Sequence, residues 1–238
     1  MSAAPKPDAQ PVRVEKTDGY AEIVLNRPHR RNALTPPAMS ALTDAFHQID
    51  GDDQVEAVVL RGEADFFCSG LDLKEIDTGH PPTATWIGVH RALAALDVPI
   101  VCALQGGAIN AGAALALACD LMVVGDGAYL QIKEAEMGMT PPVNATWLAL
   151  RYPAAVGLQL ALSCRRFPGP DLVRLTVALE SVADQDVLTK ARALAAQLAS
   201  YPGRGAALTK RALRDARGED IDQFSRVAER ARSTRRQP

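Results

Sequence analysis

PIVCALQGGAINAGAALALACDLMVV, residues 99–124, carries three patterns in immediate succession. PIVCALQG is a short, nearly all-apolar run ending at glycine, as expected of a strand buried on both faces. Residues 111–118 are alanine-rich, with the propensity of a helix. Residues 121–124 return to an apolar, partly β-branched run, a further strand. Strand, small-residue turn, helix and strand in so short a span predict an α/β layered fold.

Working outward, AVVLRG (57–62) is another buried, glycine-bounded run that reads as a parallel strand. Residues 12–25 alternate and end in AEIVLN, with a polar turn at Thr17-Asp18-Gly19. Thr35 followed by Pro36 and Pro37 marks a helix start, and MSALTDAFHQID continues it. A loop of small residues spans 66–72, and a helical stretch with Trp86, His90 and Leu93 follows. Past Pro153 the pattern turns helical over 154–164, 169–179, 186–200 and 203–217, with SVAD the one short candidate strand. The chain therefore divides into an α/β core over residues 1–164 and a helical part over 165–238. It has no internal repeat and no low-complexity segment.

The 238 residues are 47% hydrophobic and 23% charged with a net charge of −2, ordinary for a soluble globular chain. This balance supplies no argument for nucleic-acid or membrane partners. Arg226, Arg230, Arg232, Arg235 and Arg236 read as an exposed, frayed helix end. The N-terminal stretch MSAAPKPDAQPV has two prolines within its first seven residues and no apolar run, unlike a signal peptide or anchor. Even the apolar stretch 111–119 is too short to cross a bilayer. Cys68, Cys102, Cys119 and Cys164 lack CxxC spacing and read as free thiols of a cytoplasmic protein. No HExxH metal spacing or GxSxG nucleophile context occurs, and residues 107–112 lack the GxGxxG of a dinucleotide site.

Five stretches then carry a resemblance: LNRPHRRNAL (25–34), FFCSGLDLKE (66–75), GGAINAGAALALACD (106–120), KEAEMGMTPP (133–142) and TKRAL (209–213). In this order and spacing they resemble the crotonase family. The resemblance implies a spiral core of ββα units with a helical C-terminal part that assembles into a homotrimer or hexamer. It also implies an acyl-CoA thioester substrate and no separate cofactor. Chemistry at the α-carbon of a thioester builds negative charge on the carbonyl oxygen. Backbone N–H groups at loop–helix junctions stabilise that charge without side-chain entropy loss.

By resemblance those donors are the amides of Leu71 and Ala111. Residues 68–72 form a small-residue turn that a ligand can approach closely, and residues 109–112 lead into the alanine-rich helix. Such turns more often serve close packing alone. Implied substrate and CoA contacts come from Arg30, Ala33, Cys68, Ser69, Gly70, Asp72 and Leu73. Arg30 and Arg31 are candidates for the CoA phosphates, and Asp72 doubles as a helix N-cap that holds the loop.

Hydration requires one group to activate water and another to deliver a proton. The hydratases of the family place glutamates at the positions of Ala114 and Glu134, and here alanine stands at 114. A lone Glu134 instead resembles the Δ3,Δ2-enoyl-CoA isomerases, where one carboxylate shuttles a proton between α- and γ-carbons. A slow one-glutamate hydratase and a catalytically silent acyl-CoA binder are the alternatives. Glu136 stands in reserve as the carboxylate. Lys133, Asn110 and Ala111 depart from common family residues. His90 lies near the family's pocket but is expected to be a bystander, and Trp86 and Trp147 are expected to pack.

Overall fold

The structure, a computed structural model, describes residues 10–75 and 83–234, with the backbone alone over 232–234. β1 (Val12–Thr17) and β2 (Tyr20–Leu25) form a hairpin around Gly19, whose φ of 79° suits a residue without a side chain. β3 (Ala57–Gly62), β4 (Ile100–Leu104), β6 (Leu121–Gly125) and β9 (Glu180–Val182) extend it into a six-stranded sheet ordered β1-β2-β3-β4-β6-β9. Within this sheet only the β1–β2 pair is antiparallel.

Helices cover both faces of the sheet, which is why its central strands are apolar on both sides. On one face lie α1 (Pro36–Asp50), α2 (Thr83–Ala95) and α3 (Ala111–Ala118). α1 is capped by the Thr35 hydroxyl, which accepts the Ala38 N–H at 3.3 Å, and its first turn holds the two expected prolines. Ala38, Met39, Leu42, Ala45, Phe46 and Ile49 recur at helical spacing and are buried. Each large one is worth about 1.5–3 kcal/mol of burial.

On the opposite face α7 (Val187–Ala199) lays Val187, Ala191 and Ala195 against Tyr20, Val59, Val101 and Val123. Arg192 of α7 donates to Glu22 Oε1 at 2.6 Å, and Arg61 of β3 donates to Glu22 Oε2 at 2.6 Å. Burial alone would push the Glu22 carboxyl up. The bonds from Arg192 and Arg61 outweigh it and hold the group below its usual value.

A second, three-stranded sheet positions the cavity described below. It consists of β5 (Gly107–Ile109), β7 (Tyr129–Gln131) and β8 (Phe167–Pro168), ordered β5-β7-β8. The expected strand 99–106 thus ends at Leu104. Gly106, at φ 62°, turns the chain out of the large sheet and into the small one.

α4 (Pro142–Arg151), α5 (Ala154–Leu162), α6 (Gly169–Arg174), α8 (Gly205–Arg217) and α9 (Gln223–Thr234) complete the chain. The helix expected over 169–179 stops at Arg174 because Thr176 adopts a left-handed φ of 58°, and the SVAD region supplies β9. The helix expected from 203 starts at Gly205 because Gly203 and Arg204 are both left-handed.

At the arginine-rich end Arg226 and Arg230 are exposed, as expected. α9 buries Phe224 and Ala228, so it is docked rather than frayed, while Arg226 pairs with Asp220 at 2.7 Å. The Arg232 side chain, Arg235 and Arg236 lie outside the described residues. No helix among the described residues is long and apolar enough to cross a membrane.

Candidate active site

Two backbone segments are locked side by side where residue 68 meets β5 of the small sheet in a single bridge. Cys68 N–H donates to Gly107 O at 3.0 Å, and Ile109 N–H donates to Cys68 O at 3.0 Å. Gly112 at the start of α3 sits so close that a Cβ there would lie 2.2 Å from Cys68 O. Further on, Leu34 N–H donates to Gly70 O and Asp72 N–H to Leu34 O, both at 2.8 Å. This ladder uses the amides of Cys68 and Asp72 and skips Leu71. Ala111 opens α3, where no carbonyl lies one turn back to accept its N–H. Among the described residues neither the Leu71 nor the Ala111 N–H donates to a protein acceptor.

Gly70 fixes the spacing between them. Its φ is 100°, and a Cβ there would lie 3.0 Å from Ile109 O and 3.7 Å from Ala111 N. The missing side chain is what lets the Leu71 segment approach the α3 N-terminus.

Leu71, Ala111 and Glu134 all line one cavity of about 390 Å³, walled by Trp86 of α2, Pro142 to Asn144 of α4, and Ala228 and Ala231 of α9. Leu73 and Met137, both largely exposed, also line it. Glu134 is half-buried and is the one carboxylate among the described lining residues. Asn144 Nδ2 donates to Glu134 Oε1 at 3.4 Å, whereas Glu134 Oε2 is buried with no partner. Burial pushes the Glu134 carboxyl above its usual value, against bonds from its own and the Lys133 N–H and from Asn144 that favour the anion. Such a carboxylate is a stronger base than an exposed one.

The other expected residues divide by depth. Ser69 and Leu73 line the cavity. Ala33, Cys68, Gly70 and Asp72 are buried behind the lining. Burial pushes the Cys68 thiol up to about 12, so it holds its proton near neutral pH. Arg30 lies 3.6 Å from Asp72, and Arg31 lies over the Phe66 ring at 5.7 Å; neither is among the lining residues. Ala114 is wholly buried inside α3. Glu136, the reserve carboxylate, is exposed and pairs with Lys133 at 2.8 Å, which leaves Glu134 without that lysine. His90 is fully buried, accepts the Trp147 Nε1–H at 2.8 Å, and is pushed down to about 3 by burial, so it stays neutral. Trp147 packs as expected, but Trp86 also lines the cavity.

Three contributors escaped the sequence reading. Arg27, inside LNRP, is buried and donates to Ala33 O at 2.7 Å, Asp72 Oδ2 at 3.2 Å and Glu75 at 2.8 Å. It thereby ties the 30–34 loop to the Leu71 loop; the available signal was a charged residue two positions after an apolar strand. Asn144 and the α9 alanines carried no signal of their own.

The family model described as enoyl-CoA hydratase/isomerase matches residues 15–235. The chain is 30% identical over 219 residues to the 1,2-epoxyphenylacetyl-CoA isomerase of Escherichia coli, covering 88% of this chain and 83% of that protein. It superposes on an enoyl-CoA hydratase from Mycobacterium avium subsp. paratuberculosis with TM-score 0.85 and 25% identity, covering 97% of this chain and 92% of that one. A Thermobifida fusca chain solved in complex with CoA is similar at TM-score 0.78 and 30% identity, over 94% of this chain and 92% of its own.

Proposed function

This chain belongs to the enoyl-CoA hydratase/isomerase family, whose enzymes act on acyl-CoA, and on that premise we propose that it moves a double bond from the 3- to the 2-position of an enoyl-CoA. The observation that carries this reading is the pairing of two unclaimed amides with a single half-buried carboxylate in one cavity. In the proposed reaction the Glu134 carboxylate removes a proton from the α-carbon. Negative charge moves onto the thioester oxygen, between the Leu71 and Ala111 N–H groups. The Glu134 carboxylic acid then returns the proton to the γ-carbon, the carbonyl re-forms, and the double bond stands at position 2. No water is consumed and the carboxylate is regenerated.

Hydration of a 2-enoyl-CoA, the activity in the name of the Mycobacterium avium protein, is the second reading. It asks one residue to activate water and also supply the α-proton, and the position expected to help holds Ala114, buried and without a proton to give. Parallel assays with 3-enoyl-CoA and 2-enoyl-CoA over several chain lengths separate the readings. Conjugation of the 3-enoyl ester is expected to outpace hydration of the 2-enoyl ester by tenfold or more. Faster hydration would reverse the assignment. Binding of both esters without turnover of either would make the chain a silent binder.

A further inference from the structure

Asn144 is buried, 2% exposed, yet its carboxamide is incompletely satisfied. Both Nδ2 protons are in use, one to Asn110 O at 3.1 Å and one to Glu134 Oε1 at 3.4 Å, while Oδ1 has no partner. Turning the amide over would set Oδ1 against two other oxygens, so its neighbours dictate the orientation.

Asn110 closes the arrangement. It directly precedes Ala111, and its Oδ1 accepts the Lys133 N–H at 2.8 Å. Its backbone sits at φ 51°, ψ −106°, a region that side-chain-bearing residues rarely occupy. Such strain persists only where surrounding bonds over-determine it. Here those bonds run to the residue before the base and, through Asn144, to the base itself. The turn that presents one oxyanion donor is thus tied to the carboxylate by a closed ring of residues 110, 133, 134 and 144.

We propose that Asn144 is a positioning residue that sets the Glu134 carboxylate relative to the Ala111 amide. This rests on reading Glu134 as the base. Asn144 is expected to act on that base in two ways: it restricts rotation of the carboxylate, and its N–H favours the anion. Few charges compete with it. Lys133 and Glu136 pair with each other, α3 is uncharged, α4 presents Pro142, Val143 and Asn144 to the cavity, and α9 presents Ala228 and Ala231.

The test uses two variants and two readouts. In protein carrying ¹³C-carboxyl glutamate, the Glu134 signal is identified by its loss in Glu134→Gln and followed with pH. Asn144→Ala is expected to move that titration to higher pH and to lower kcat about tenfold, with affinity for a saturated acyl-CoA unchanged. Asn144→Asp keeps the shape but exchanges the donors for a second carboxylate. It is expected to move the titration further up and to make it a coupled, two-group curve. If Asn144→Ala fails to fold, the isosteric Asn144→Asp carries the test. A Glu134 titration that coincides with wild type in the folded variants would overturn the proposal, whatever happens to the melting temperature. The titration is read without turnover, so it stands apart from the assignment of the reaction, which fails separately if Glu134→Gln remains active.

Discussion

Glu134→Gln is expected to lower turnover of a 3-enoyl-CoA by about 10²–10⁴, the usual contribution of a positioned proton-transfer group. The glutamine keeps an oxygen for the Asn144 N–H and leaves the two amides in place, so affinity for a saturated acyl-CoA should be unchanged. The same substitution is expected to stabilise the fold at neutral pH. Burial raises the Glu134 carboxyl, so across the window between its unfolded and folded values the native state holds more proton than the unfolded chain. Stability contributed by this group therefore falls as pH rises through that window. The neutral glutamine removes the cost of a partly desolvated anion. Urea midpoints should accordingly differ little in acid and favour Glu134→Gln near pH 8. In the wild type, turnover should rise with pH through the raised carboxyl value, since only the anion can accept the α-proton. Unchanged turnover in Glu134→Gln would remove this residue from the reaction.

Gly70→Ala is expected to lower kcat by about 10²–10³, as loss of one oxyanion donor does elsewhere. Gly70 lies at φ 100°, where an L side chain is strained, and the added Cβ would meet Ile109 O at 3.0 Å. The backbone must rotate to relieve that contact, and the next N–H along is Leu71. The methyl would also stand 3.7 Å from Ala111 N, within the space a carbonyl oxygen needs. One substitution thus disturbs both donors while leaving Glu134 and the α4 wall untouched. The expected kinetic pattern is a fall in kcat that exceeds any rise in KM, because the donors bind the developing oxyanion more tightly than the ground-state ester. Equal kcat in a folded Gly70→Ala protein would place the reacting oxygen somewhere other than between these amides.

Much of this arrangement was legible in the residue pattern because its signals are local. The Thr35-Pro36-Pro37 helix start, the turn at Gly19 and the apolar runs of β3 and β4 each follow from neighbours a few positions apart. The geometry of the 68–72 turn and the start of α3 follows from small residues at positions that a Cβ would block. The small sheet was not legible. Its strands are two or three residues long, too short for period-two alternation to register, and they exist because of pairing across the fold. Nor could α9 be placed as a cavity wall, since Ala228 and Ala231 reach the site through the packing of Phe224 on Trp147 and His90. Glu136 illustrates the limit of proximity in sequence. Two residues from Glu134, it turns outward to Lys133, because the chain there forms a turn rather than an extended segment.

In the proposed reaction the thioester oxygen rests between the amides of Leu71 and Ala111. The most direct measurement is the isotope-edited infrared spectrum of an acyl-CoA labelled at its thioester carbonyl and bound to the protein. Two N–H donors polarise the bond, so the bound carbonyl stretch is predicted to lie at lower wavenumber than in solution, and most of that displacement should vanish in Gly70→Ala. A carbonyl stretch unmoved by binding to the wild-type protein would place the thioester oxygen away from these two amides.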